Sequence, residues 1–292
     1  MIKIKYLSLI LLSLFLFSRC QKEDIYNPKE KLLSILDYEI SSKTPFVSFL
    51  YEEEKISKAI FHDQTVFEFE YNEEDQVSAI YGYFGNKPYG YVLMTYLDKK
   101  LSKTAYYDQS NTVFQIDTFY RHNGLIYGYK SYINVSEAKD SEDKITPTRL
   151  FKTFMQTHQP KQVKAIVQDQ KSGFVLIAQT NVEYTRKNIT QLETVYQNGF
   201  TTLSRFSYDD EKNPLYGLPF AFTEHIIFPT APLSGYSKNN FVSYTYSEHY
   251  GTPGAGETET YELVYQKNDY PTQIYTVNQN ETTLRWQFNY IE

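Results

Sequence analysis

The chain has 292 residues, a formal net charge of −6 and a sequence pI near 5.5. With 41% apolar residues and a single cysteine, it can bury a large core but cannot be a disulfide scaffold, and its acidity argues against nucleic acid as a partner. Aromatic content is high, with 29 Tyr and 20 Phe.

Lys3 and Lys5 precede an apolar stretch, residues 7–17, that is short for a membrane span and suits an export signal. It ends at Ser18-Arg19-Cys20. A lone cysteine directly after such a stretch resembles the lipidated cysteine of a bacterial lipoprotein, although Arg19 and Phe17 depart from the usual lipobox. The resemblance implies a signal peptide over residues 1–19, acylation of Cys20 and attachment to outer-membrane lipid. Gln21-Lys22-Glu23-Asp24 resembles the acidic export tag of Bacteroidota surface lipoproteins, which implies a place on the cell surface. Residues 20–30 then form a polar tether.

Residues 31–40 carry Leu32, Leu33, Leu36 and Ile40 near one helical face, so a short helix is predicted there. Beyond it, period-two patterns dominate. Phe67, Phe69 and Tyr71 alternate with Glu68 and Glu70. Val92, Met94 and Tyr96 follow the same rule, as do Leu284, Trp286, Phe288 and Tyr290 at the carboxyl end. Residues two apart share a sheet face, so each run predicts a strand with one buried side.

A tyrosine followed by a polar turn and a further tyrosine recurs, starting at Tyr71, Tyr96, Tyr120 and Tyr265. The first three starts lie about 25 residues apart, the length of two strands and two turns. Asn, Asp and Gly in the turns suit tight hairpins. The prediction is an all-β, antiparallel meander of about fourteen strands, strongly curved or barrel-like, because a sheet that long must curl, split or close. Residues 31–292 form one domain on this reading. It carries a surface loop or insert near 136–160, and a proline-interrupted segment, 209–240, covers an open end. A transmembrane barrel is disfavoured by charges such as Glu68 and Glu70.

On these features the chain resembles the DUF4595 family of Bacteroidota lipoproteins with a porin-like β fold, with hairpins in the looser style of tyrosine-aspartate repeats. The resemblance rests on the lipoprotein start, the tyrosine hairpins, the run from Tyr208 to Pro214 and the ending from Tyr265 to Ile274. It implies no catalytic residues.

Chemical motifs are scarce. No phosphate loop, nucleophile elbow or zinc helix is present, no cofactor is implied, and the five histidines are scattered. The pairs Glu68 with Glu70 and Glu257 with Glu259 read as solvated sheet faces, and Asp209, Asp210, Glu211 and Asn213 as a polar turn rather than a calcium loop. Tyrosine combines a flat apolar ring with a hydroxyl, which suits interfaces and sugars. Tyr81, Tyr83, Tyr89, Tyr91, Tyr127 and Tyr129 are therefore the candidate ligand platform, and Tyr244, Tyr246 and Tyr250 form a further cluster. The expected role is a surface-anchored, non-catalytic binding or structural envelope lipoprotein, with glycan or peptide as ligand. The alternatives are an extracellular polysaccharide hydrolase and an accessory protein of an outer-membrane uptake complex.

Overall fold

The computed structural model describes residues 30–134, 173–219, 222, 234–251, 254, 256–278 and 281–291. The predicted signal, Cys20 and most of its tether lie outside these residues, as does the loop at 136–160. Sixteen strands pair antiparallel, each with its neighbours in sequence, and β1 (Leu32–Asp37) pairs with β16 (Glu281–Tyr290) to close a barrel. The described strands thus form the expected antiparallel meander, closed into a barrel of sixteen strands rather than about fourteen.

The helix predicted at 31–40 is strand β1 instead. A register shift between Leu32 and Ser34 breaks the period-two pattern, so Leu32 and Ile35, three apart, are both fully buried. A bulge of this kind imitates helical spacing in a sequence.

Alternation sorts the rest. In β4 (Thr65–Tyr71), Thr65, Phe67 and Phe69 are buried, while Val66 and Glu68 are partly exposed and Glu70 is exposed. Phenylalanine and aliphatic side chains fill the interior. The outer face carries Glu70, Gln179, Asn181, Glu183, Arg205 and Glu262, all exposed. A barrel that crosses a bilayer has the reverse arrangement, an apolar outer band around a polar interior. Among the described residues no helix is long and apolar enough to cross a membrane.

The two rims differ. At the first lie the amino end of β1 and the tight turns at Glu53-Glu54, Asp98-Lys99 and Arg186-Lys187, where both central residues have positive φ. Such turns match the twist of paired strands. Here two of the repeated tyrosines, Tyr71 and Tyr96, find a role that Tyr51 and Tyr290 share. Tyr51 donates its hydroxyl to the Leu32 carbonyl at 2.9 Å, Tyr71 to Ile56 at 2.9 Å, Tyr96 to Val77 at 2.8 Å and Tyr290 to Pro271 at 2.7 Å. Each hydroxyl ties the end of one strand to the start of the strand before it. In the third repeat Arg121, not Tyr120, takes this place, donating Nε to the Leu101 carbonyl at 2.9 Å. Tyr120 points outward.

The segment after β12 (Phe200–Lys212) folds into the barrel from this rim. Leu215, Leu218 and Phe222 are buried, and Phe222 packs edge-on against Phe49, Phe67 and Phe69 of the facing wall, with centroids 6.2, 5.9 and 4.9 Å away. A polar clamp holds its base. Asn188 donates Nδ2 to Asn239 Oδ1 at 2.9 Å, and the Asn239 backbone N–H returns a bond to Asn188 Oδ1 at 2.9 Å.

One carboxyl group sits wholly inside the wall. Asp117 accepts Gln115 Nε2 at 3.0 and 3.1 Å and the Thr104 hydroxyl at 3.2 Å. Burial pushes its pKa above the ordinary carboxylate value, and hydrogen bonds from these neutral donors oppose the rise. The folded chain thus holds this proton more tightly than the unfolded chain. Its contribution is most favourable below the ordinary carboxylate pKa and is lost as pH rises through the raised value. Asp117→Asn removes that slope. The gap in unfolding free energy between D117N and the parent should move in favour of the variant from about pH 4 to about pH 8. Urea titrations at several pH values check this, and a gap that stays constant refutes it.

Candidate functional site

At the second rim the inner face of two neighbouring strands carries exposed carboxylates among the described residues. Strand β13 (Asn239–Tyr250) runs up to this rim and β14 (Glu257–Tyr265) starts from it. Their register sets Tyr244 opposite Glu259 and Tyr246 opposite Glu257. Glu248 lies two residues beyond Tyr246, on the same face. Glu248, Glu257 and Glu259 are exposed, Tyr246 is half-buried, and Tyr244 and Tyr261 are buried behind them. The rings continue inward as an aromatic wall. Tyr244 and Tyr246 stack at 6.2 Å, Phe206 meets Tyr244 at 5.5 Å and Tyr261 meets Trp286 at 5.9 Å.

Hydroxyls and carboxylates are coupled here. Tyr246 donates to Glu248 Oε1 at 2.6 Å, and Tyr261 donates to Glu259. Burial, reinforced by Glu259, pushes the Tyr261 phenol far above its ordinary value, and burial with Glu248 nearby does the same to Tyr196. Phenols held protonated and spent on glutamates are poor nucleophiles. As fixed donors and ring faces beside open carboxylates they are suited to recognition. The sequence showed Glu257 with Glu259 and the cluster of Tyr244, Tyr246 and Tyr250 as separate features. Glu248 and Tyr261 were missed, although both stand at the two-residue spacing that marks a shared face.

The platform predicted from sequence is divided. Tyr81, Tyr83 and Tyr91 lie on the outer face of β5 (Val77–Phe84) and β6 (Lys87–Leu97), partly exposed. The side chain of Tyr89 lies outside the described residues. Cross-strand pairing runs Lys58, Glu68, Tyr81, Tyr91, Tyr107 across five strands, which adds Tyr107 to the row. Tyr91 and Tyr107 stack face to face at 4.5 Å and 7°, so each covers a ring face that a sugar would need. Tyr127 is 50% exposed near the other rim. Tyr129 is a correction. It is 3% exposed and packs on Phe119 inside the barrel. A register shift beside Tyr127 turns that residue outward while Ile126 and Tyr129 both face in.

The acidic run at 209–213, expected as a polar turn, is instead the irregularly paired end of β12 for all but Asn213. Asp209 accepts the backbone N–H groups of Glu211 at 3.0 Å and Asn240 at 3.2 Å, and the Tyr265 hydroxyl. Its oxygens are committed to the protein. Among the described residues no group of three histidine, cysteine, aspartate or glutamate side chains is placed to hold a metal ion.

No family model matches the chain, and no curated protein does. The expected membership of the DUF4595 family is thus unsupported. Among solved structures, a porin-like protein from Bacteroides vulgatus is similar over 89% of this chain and 99% of its own, at 9% identity and a TM-score of 0.48. A porin-like protein from Bacteroides uniformis is similar over 85% and 98%, at 10% identity and a TM-score of 0.35. A TcdB2-TccC3-Cdc42 structure is similar over 84% of this chain but 12% of its own, at 10% identity and a TM-score of 0.34. These are distant, partial likenesses and carry no argument about role.

Proposed function

We propose that the chain is a non-catalytic envelope lipoprotein, anchored through Cys20 at the outer membrane, whose barrel binds a glycan or peptide at its second rim. The observation that carries the binding role is the inner wall of β13 and β14, where Tyr246 and the exposed Glu248, Glu257 and Glu259 line the mouth. Ring faces supply apolar contact, and carboxylates accept hydrogen bonds from sugar hydroxyls or peptide N–H groups. The charged outer face keeps the barrel itself in water.

The place of β1 supports one orientation for this arrangement. Strand β1 begins at Leu32 on the tyrosine-tied rim, so a tether from Cys20 reaches that rim within about 40 Å. The second rim then faces away from the bilayer. Cys20→Ala should release the protein from membranes, because acyl chains provide the attachment. Intact-mass measurement of native protein with an unmodified Cys20 refutes the anchor.

A hydrolase reading has one supporting feature. Glu257 and Glu259 share one strand face, two residues and about 6.7 Å of backbone apart, and glycosidases act through paired carboxylates. They stand side by side on one strand, however, and Tyr261 holds Glu259. A glycan array on the full chain separates the readings. Retention of a glycan without cleavage, lost in Tyr246→Ala and weakened in Glu257→Gln, supports binding. Release of shortened sugars supports hydrolysis. No retention of glycan or peptide leaves a structural role and rejects the proposal.

A further inference from the structure

The stacked pair on the outer face has a chemistry of its own. Tyr91 and Tyr107 are direct cross-strand partners on β6 and β7 (Lys100–Asp108), their rings nearly parallel at 4.5 Å and both partly exposed. Tyr81 extends the row at 5.7 Å and 34°. Another outward tyrosine contact, Tyr120 with Tyr127, is wider and steeply tilted, at 6.3 Å and 52°. The parallel stack of Tyr244 and Tyr246 joins residues of one strand and faces inward. The chain has no cysteine besides Cys20, so disulfides cannot staple the barrel wall.

We propose that Tyr91 and Tyr107 are a site of oxidative cross-linking, forming a dityrosine that joins β6 to β7 when the protein meets a one-electron oxidant of the haem-peroxidase class with hydrogen peroxide. Each phenol gives up one electron and one proton, and the peroxide accepts both pairs to become two waters. The two tyrosyl radicals couple through ring carbons ortho to oxygen. The displaced ring hydrogens return to the oxygens, so two phenols are restored and the chain has lost two hydrogens. Radical coupling competes with diffusion and with repair, so a partner already in contact has a large kinetic advantage. The register supplies that partner. The bond closes a loop that the unfolded chain must then keep closed, which stabilises the folded wall as any cross-link does.

The test treats the full chain with a haem peroxidase and hydrogen peroxide, then digests it with trypsin. Lys99, Lys100 and Lys103 separate the two tyrosines, so their peptides part unless they are bonded. The expected result is a monomeric protein with dityrosine fluorescence, a raised melting midpoint and one linked peptide pair, sequenced to Tyr91 and Tyr107. Fluorescence within the monomer should fall to background in both Tyr91→Phe and Tyr107→Phe and persist in Tyr120→Phe. Fluorescence retained by Tyr107→Phe, a link mapped to other tyrosines, or bonds between chains alone would overturn the assignment. Phenylalanine keeps the ring and its packing, so loss of folding does not confuse the outcome.

Discussion

Trp286→Ala should lower the stability of the barrel by about 3–5 kcal/mol, through lost transfer energy and the cavity left behind. Trp286 is 4% exposed and stands where three strands meet, opposite Asp37 of β1 and Ile274 of β15 (Pro271–Asn278). Its ring also touches Tyr261 and lies 4.9 Å beneath the Arg285 guanidinium, which pairs with Asp37 and Glu39. Truncation therefore weakens the seam and the aromatic wall together. Natural domains have about 5–15 kcal/mol in total, so the loss is a large share. Thermal and urea unfolding followed by circular dichroism measures it. Because Trp286 is the single tryptophan, iodide quenching checks the placement beforehand. Weak quenching is expected, and strong quenching contradicts a buried ring.

Phe222→Ala should cost a similar amount, about 3–5 kcal/mol, for a different reason. Phe222 belongs to a connection rather than to the wall, yet it is 1% exposed and fills the space between Phe49, Phe67 and Phe69. Its removal opens a void in the lumen that the hydrogen-bonded wall cannot collapse to fill. Phe222→Leu keeps most of the volume and should recover much of the loss. If alanine and leucine behave alike and both are mild, the ring is not part of the packed interior.

Much of the fold was legible because a half-buried strand writes its two faces as alternating letters. Phe67, Phe69, Val92, Met94, Trp286 and Phe288 all lie inside as their spacing requires. Bulges defeated the same rule. One between Leu32 and Ser34 disguised β1, and one at Tyr127 put Tyr127 and Tyr129 on opposite sides of the wall. The tyrosine repeat was visible, but not the tie that Tyr71 and Tyr96 make, since a hydroxyl bonded to a carbonyl 15 to 19 residues earlier leaves no local mark. The second rim was hardest to see. Glu257 faces Tyr246 only through the register of β13 against β14, and a slip of one residue would have sent the carboxylate outward.

Closure by β1 and β16 bears on how the molecule is made. Fifteen of the sixteen neighbouring pairs among the described strands join elements consecutive in sequence and can form as the chain lengthens, but the last joins residues such as Ser34 and Asn289, 255 positions apart. Contacts so distant carry the largest loop-closure entropy and are made late. Until then the first strand keeps an unsatisfied edge, and the growing sheet is an open ribbon able to recruit a neighbouring chain. Truncated or stalled chains should therefore be more prone to aggregation than their composition suggests. A circular permutant that joins β16 to β1 and opens another hairpin should move this late closure to the new seam rather than shorten it, because a closed meander always pairs its first strand with its last.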